Sequence, residues 1–127
     1  MIDHNIKRRI LVVDDDLANR ILMTEILEGA NVTIIECGCG READLLFKEY
    51  CADIVLVILD IQLPKCNGWD LGKRFREMKP SVVIIAVSAI PAEELAKGCK
   101  EGGFDRFVSK PFDIDEFLEV VTGYLHT

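Results

Sequence analysis

The chain has 127 residues, half of them apolar, and a formal net charge of -7. That length suits one domain with a real core, and the charge argues against nucleic acid or an anionic membrane as a partner of the whole surface while admitting a cation or a basic patch. No apolar run reaches membrane-spanning length and the polar N-terminus lacks a signal-peptide core, so a cytoplasmic protein without membrane insertion is expected.

The basic run Lys7-Arg8-Arg9 is too short for a nucleic-acid patch and reads as a solvated approach to the first strand. Residues 10–13 are then continuously apolar, as in a strand buried on both faces. Ala18, Ile21, Leu22 and Ile26 follow at the spacing of an amphipathic helix, which Gly29 ends. Residues 32–35, rich in β-branched side chains, form a second strand, and Ala43, Leu46, Phe47 and Tyr50 the next helical stripe. The third strand, 54–59, is the most apolar, and Leu71, Phe75 and Met78 mark a helix that stops before Pro80. A fourth strand at 82–87 precedes a helix that opens at Pro91, carries Ala92, Leu95, Ala96 and Cys99, and closes at Gly102-Gly103. A weaker fifth strand covers 104–108. Asp113 then caps a last helix bearing Ile114, Phe117, Leu118 and Val121, with Glu116 in the capping-box position.

Five β-α units with wholly apolar strands imply an α/β fold with a parallel sheet covered by helices on both faces. Right-handed crossovers leave few topologies, and a doubly wound five-stranded sheet of order 2-1-3-4-5 fits five units. Function in such sheets gathers beyond the carboxyl ends of the strands. Strand 1 ends in Asp14-Asp15-Asp16, strand 3 in Asp60, strand 4 in Ser88 and strand 5 in Ser109-Lys110-Pro111. Acids in loops are often only helix caps, but carboxylates converging from two strands repel one another unless a cation neutralises them. An oxygen-only set favours a hard ion such as Mg2+. With that ion bound, Asp60 is a usable nucleophile toward a phosphoryl group, and a lysine and a hydroxyl suit phosphoryl oxygens. The five cysteines, Cys37, Cys39, Cys51, Cys66 and Cys99, are odd in number and complete no zinc set, so reduced thiols are expected.

The motifs VVDDD, LDIQLP, VSA and SKPF, in this order and spacing, resemble the receiver domain of bacterial-type two-component response regulators, the CheY-like family, from about Arg9 to the end of the chain. The resemblance implies a flavodoxin-like fold and a single receiver domain over 1–127, its core at about 9–125, with no output domain. It implies that Asp60 accepts a phosphoryl group from a sensor histidine kinase or a histidine phosphotransfer protein. Asp14, Asp15, Asp60 and the main-chain carbonyl of Gln62 would hold Mg2+, with Mn2+ as an alternative, Asp15 being the direct ligand of the acidic pair. Ser88 is the implied switch hydroxyl, Lys110 the implied ion-pair partner of the phosphoryl group, Phe107 the implied rotating aromatic, and Pro111 follows an implied cis bond. Phosphorylation would reshape the face of helix 4, strand 5 and helix 5 for a downstream protein, in a monomer or a phosphorylation-dependent dimer. Such a protein is not an enzyme beyond its own phosphorylation and slow dephosphorylation at Asp60. His4 and His126, near the chain ends, are not expected to donate the phosphoryl group.

Some residues depart from the family's pattern. Ser88 replaces the more frequent threonine, Phe107 the more frequent tyrosine, Leu63 the usual methionine, and Phe104 a small residue. Gln62 and Ile90 occupy the two variable positions that set phosphoryl lifetime, and an apolar Ile90 predicts slow hydrolysis. Asp16 is read apart from its neighbours, as the cap of helix 1. Cys66 is expected in the loop after Asp60, and Trp69 as partial core. Three other readings fit less well. A haloacid-dehalogenase-type phosphotransferase normally carries a second aspartate where Gln62 stands, and a flavin carrier would not place three acids beside a phosphate. The remaining alternative is a phosphorylation-independent protein-interaction module on a receiver fold.

Overall fold

The structure, a computed structural model, describes residues 8–125; Lys7, His4 and His126 lie outside them. In chain order the elements are β1 (Arg9–Val13), α1 (Leu17–Leu27), β2 (Thr33–Cys37), α2 (Gly40–Tyr50), β3 (Ile54–Asp60), β4 (Gln62–Leu63), β5 (Cys66–Asn67), α3 (Gly68–Met78), β6 (Val83–Ser88), α4 (Ala92–Gly102), β7 (Arg106–Ser109) and α5 (Ile114–Leu125). Five strands form one sheet of order β2-β1-β3-β6-β7, every neighbouring pair parallel. This is the expected 2-1-3-4-5 order once the antiparallel ribbon of β4 and β5 is set aside.

The central strands β1, β3 and β6 are apolar except at their ends because each face of the sheet has its own core. The edge strands β2 and β7 depart from the wholly apolar character expected of them: each is paired on one side only and carries exposed residues, Thr33 and Glu36 on β2 and Arg106 on β7. Leu11 and Val13 of β1, Val57 and Leu59 of β3, and Ile84 and Ala86 of β6 pack against Phe47 of α2, Phe75 of α3 and Leu95 of α4. Ile10, Val12, Leu56, Ile58, Ile85 and Val87 point the other way, against Met23 and Leu27 of α1 and Phe117, Val121 and Leu125 of α5. The alternation slips once. Ile10 pairs with Leu56 while Arg9 pairs with Ile54, so Val55 is an extra residue in β3, and Val55 and Leu56 face the same core.

The helix stripes read from sequence hold only in part. On α1 the buried residues are Met23 and Leu27, not Ala18 and Ile21, and Ile21 stays 47% exposed. This helix carries more apolar residues than one face can bury, so periodicity alone placed the stripe off centre: Leu22 and Ile26 are half-buried, Ile26 against the core, while Ala18 and Ile21 are exposed. Met78, Ala92, Ala96 and Ile114 are likewise exposed on their helices, while Phe75, Leu95, Cys99 and Phe117 are buried as expected. The helix ends follow their expected chemistry. Asp16 accepts N–H bonds from Ala18 and Asn19 at 2.9 and 3.4 Å, Asp113 accepts one from Glu116 at 3.0 Å, and Gly103 takes the left-handed conformation after α4.

The fifth strand begins at Arg106, two residues later than expected, and Phe104 lies buried in the loop before it. The room for that ring comes from two missing side chains. A Cβ at Gly72 would lie 2.1 Å from the Phe104 ring, and one at Gly102 would lie 3.2 Å from it. Trp69 meets Phe104 edge-on at 5.1 Å and lies over Gly98, whose Cβ would fall 2.3 Å from the indole. No helix among the described residues is long and apolar enough to cross a membrane.

Candidate functional site

The carboxyl ends of β1 and β3 lie side by side, and their acids meet. Asp14, Asp15 and Asp60 each bring a carboxylate oxygen within 4.8 Å of the others. Asp14 is fully buried and Asp60 4% exposed, while Asp15 faces solvent. Asp14 is held from several sides. Its N–H donates to the Cys37 carbonyl at 3.2 Å, its carbonyl accepts Arg20 Nη1 at 2.7 Å, and its Oδ1 accepts the Asp16 N–H at 2.9 Å. Asp60 Oδ1 accepts the Gln62 N–H at 2.9 Å.

Lys110, delivered by the loop after β7, supplies the opposing charge. Its Nζ donates to Asp60 Oδ2 at 2.9 Å and lies 2.9 Å from Asp14 Oδ2. The second contact is an ion pair outside hydrogen-bond geometry, so the buried Asp14 Oδ2 makes no hydrogen bond among the described residues. The peptide between Lys110 and Pro111 is cis, as expected. Burial raises the Asp60 pKa above the ordinary carboxylate value. The Lys110 hydrogen bond, the Gln62 N–H and the Lys110 charge offset part of that rise, and the Asp14 charge adds to it. Burial opposes the Lys110 charge, but the two carboxylates outweigh it and raise the ammonium's pKa.

The Lys110 N–H donates to the Ser88 carbonyl at 2.8 Å, which ties the loop to the end of β6. The Ser88 side chain is fully buried. Its hydroxyl does not point at Asp60; it donates to Gln62 Oε1 at 3.3 Å and accepts the Ile90 N–H at 3.3 Å. Phe107 is half-buried on β7 against the core, paired in register with Ala86 and so two residues below Ser88.

The fold thus brings Asp14 and Asp60 into contact with Lys110 and places an Asp15 carboxylate oxygen within 4.8 Å of those of both acids. It sets Ser88 and Gln62 beside them and keeps Phe107 in the adjoining core. Three supporting features were not read from the sequence. The β4–β5 ribbon turns through Pro64 and Lys65, with Lys65 at φ 58°, and the Pro64-Lys65 pair between Leu63 and Cys66 was its only cue. Gly68 lies against the backbone of the aspartate loop, where a Cβ would be 2.5 Å from Ile61 Cα and 2.9 Å from the Asp60 carbonyl oxygen. Nothing local to Gln62 announces its side-chain bond to Ser88.

A buried carboxylate oxygen without a hydrogen bond and two further carboxylates, with no cysteine or histidine in the group among the described residues, match a small, hard divalent cation. Fold and site together define a doubly wound α/β domain with an acidic, lysine-balanced site at the carboxyl edge of its sheet. The response regulator receiver domain family matches residues 10–122, and the chain belongs to that family. It is 28% identical over 120 residues to the polar-differentiation response regulator DivK of Brucella ovis, covering 93% of this chain and 96% of that protein. Among solved structures, the CheX-CheY-BeF3-Mg2+ complex from Borrelia burgdorferi matches with a TM-score of 0.85 at 30% identity, over 94% of this chain and 90% of that one. The BeF3-activated DrrB receiver domain matches with a TM-score of 0.84 at 26% identity, over 95% and 99%; DrrB is an OmpR/PhoB homolog of Thermotoga maritima.

Proposed function

We propose that this receiver domain is a phosphorylation switch whose acceptor is Asp60. The observation that carries the reading is the Lys110 ammonium set 2.9 Å from both Asp14 and Asp60 beside the exposed Asp15. Asp14, Asp15, Asp60 and the main-chain carbonyl of Gln62 would hold Mg2+, or Mn2+ in its place. The metal supplies neutralisation of the charge that gathers on the transferred group. An Asp60 carboxylate oxygen attacks phosphorus as the bond from phosphorus to the donor histidine nitrogen breaks, giving an aspartyl phosphate. The donor is a sensor histidine kinase or a histidine phosphotransfer protein. Lys110 then faces the new phosphoryl oxygens, and Ser88 turns toward them.

A two-state equilibrium needs about 5.5 kcal/mol of differential interaction to pass from mostly off to mostly on. Charge-assisted contacts are worth about 1.5–3 kcal/mol each, and those of Lys110 and Ser88 count toward the switch by the amount they exceed the resting bonds they replace. Withdrawal of Ser88 leaves space for Phe107, and the face of α4, β7 and α5 changes shape for a downstream protein. The receiver domain acts in the cytoplasm and catalyses nothing beyond its own phosphorylation and slow dephosphorylation. Incubation with acetyl phosphate, with and without Mg2+, followed by intact mass measurement tests the reading. One phosphoryl adduct that requires Mg2+ and vanishes in Asp60→Asn is expected. An adduct that survives in Asp60→Asn refutes Asp60 as the acceptor, and no adduct at all refutes the switch and favours a phosphorylation-independent interaction module.

A further inference from the structure

The Ser88 hydroxyl has one proton to give, and in this structure it gives it to Gln62 Oε1 at 3.3 Å. Ser88 is fully buried, so no solvent competes for that proton. Its oxygen is also engaged, accepting the Ile90 N–H at 3.3 Å. The same Gln62 donates its N–H to Asp60 Oδ1 at 2.9 Å. One residue therefore holds the acceptor carboxylate through its main chain and the switch hydroxyl through its side chain. The two bonds differ in what phosphorylation would ask of them. The backbone bond orients Asp60 and can persist. The side-chain bond must break, because a hydroxyl with one proton cannot donate both to Gln62 Oε1 and to a phosphoryl oxygen.

We infer that the Gln62 side chain is a latch on the resting state: it competes with the phosphoryl group for the Ser88 proton and so raises the threshold for switching. Gln62 is in this sense a positioning residue, and the inference rests on the phosphoacceptor reading of Asp60. The latch is weak enough to be overcome. A neutral hydrogen bond is exchanged for a charge-assisted one, and the latter is roughly twice as strong. The side chain belongs to an exposed residue of a two-residue strand, so it can swing into solvent once released. A glutamine here thus supplies an acceptor for Ser88 that an aliphatic residue could not.

The experiment uses four proteins, the wild type, Gln62→Leu, Ser88→Ala and the double variant, in two measurements. Urea unfolding without metal reads the bond itself. Gln62→Leu and Ser88→Ala should be non-additive there, and additive losses overturn the latch. Beryllofluoride titration at saturating Mg2+, followed by Trp69 fluorescence or 19F NMR, reads its consequence. Gln62→Leu should bind beryllofluoride roughly three- to tenfold more tightly than the wild type, the worth of one net hydrogen bond. The gain should disappear in the Ser88→Ala background. Unchanged or weaker binding by Gln62→Leu, or a gain that survives without the Ser88 hydroxyl, overturns the proposal. If the unfolding cycle shows coupling but wild-type protein binds no beryllofluoride, the phosphoacceptor reading has failed, and the role of the latch falls with it.

Discussion

Replacing Lys110 with methionine tests the charge balance of the site most directly. The substitution keeps an unbranched apolar stem and removes one ammonium 2.9 Å from two buried carboxylates. Breaking a buried ion pair by deleting one partner costs about 3–5 kcal/mol, because the remaining charge is left uncompensated. Here the loss has a ceiling, since the protein can protonate Asp60 instead. Protonating a carboxylate of ordinary pKa 3.8 at pH 7 costs about 4.4 kcal/mol, at 1.36 kcal/mol per unit. At pH 5 the same ceiling is about 1.6 kcal/mol, and the raised folded-state value of Asp60 lowers both figures.

The signs follow from the directions of the shifts. Asp60 has a raised folded-state pKa, so its contribution to stability is fully present below the ordinary value of 3.8 and is lost as pH rises through the folded value. The folded-state pKa of Lys110 is raised as well, so its contribution is full below 10.5 and lost only as pH rises through its higher folded value. Lys110→Met should therefore lose about 3–4 kcal/mol at pH 7 and under about 2 kcal/mol at pH 5, and Mg2+ should restore part of the loss at pH 7 by replacing the missing cation. Urea unfolding followed by Trp69 fluorescence, in EDTA and in Mg2+, measures all of this. A loss that is the same at both pH values and indifferent to Mg2+ would mean that Lys110 acts through packing rather than charge.

The acids after β1 should separate by role: Asp15→Ala should largely abolish Mg2+ binding in a calorimetric titration, whereas Asp16→Ala should leave it nearly intact and cost about 1 kcal/mol of stability through the lost helix cap. Equal losses of Mg2+ affinity would contradict that division. Burial pushes the Cys37 thiol up to about 12 and the Cys99 thiol up to about 11, so iodoacetamide at pH 8 should modify the exposed Cys39 long before either, as peptide mapping would show. Phe104→Ala should cost about 3–5 kcal/mol through the cavity it leaves, and Gly72→Ala should also destabilise through a clash with the same ring. Their double variant should be more stable than the sum of the two losses, and strict additivity in chemical unfolding would show that the ring and the glycine are not coupled.

The sheet and its order were legible because a strand covered on both faces must be apolar along its covered length, and β1, β3 and β6 are apolar but for Arg9, Asp60 and Ser88 at their ends. Helix faces were less so. On α1 the sequence offers Leu17, Ile21, Leu22, Met23, Ile26 and Leu27, and only the placement of the sheet selects Met23 and Leu27 for burial. The charged members of the site were legible for a related reason. A carboxylate or an ammonium directly after an apolar strand stands out, and the topology then brings such ends to one rim.

What sequence reading could not reach is compensation between distant residues. Phe104 stood out only as a large ring where a small residue is usual. Its space is made by Gly72 on α3 and Gly102 at the end of α4, one of them 2.1 Å from the ring had it a Cβ. Gln62 likewise read as a variable neighbour of Asp60, and its side-chain bond to Ser88 spans 26 residues. Both cases depend on a partner whose own identity is unremarkable in its local stretch. A glycine inside a helix costs roughly 0.5–1 kcal/mol relative to alanine, and a side-chain amide on an exposed ribbon has no local requirement at all. Their reasons lie across the fold, in the ring that fills the first and the buried hydroxyl that engages the second. Charge is visible in a sequence because it is costly wherever it falls; complementarity of shape and of single hydrogen bonds is costly only when its partner is missing.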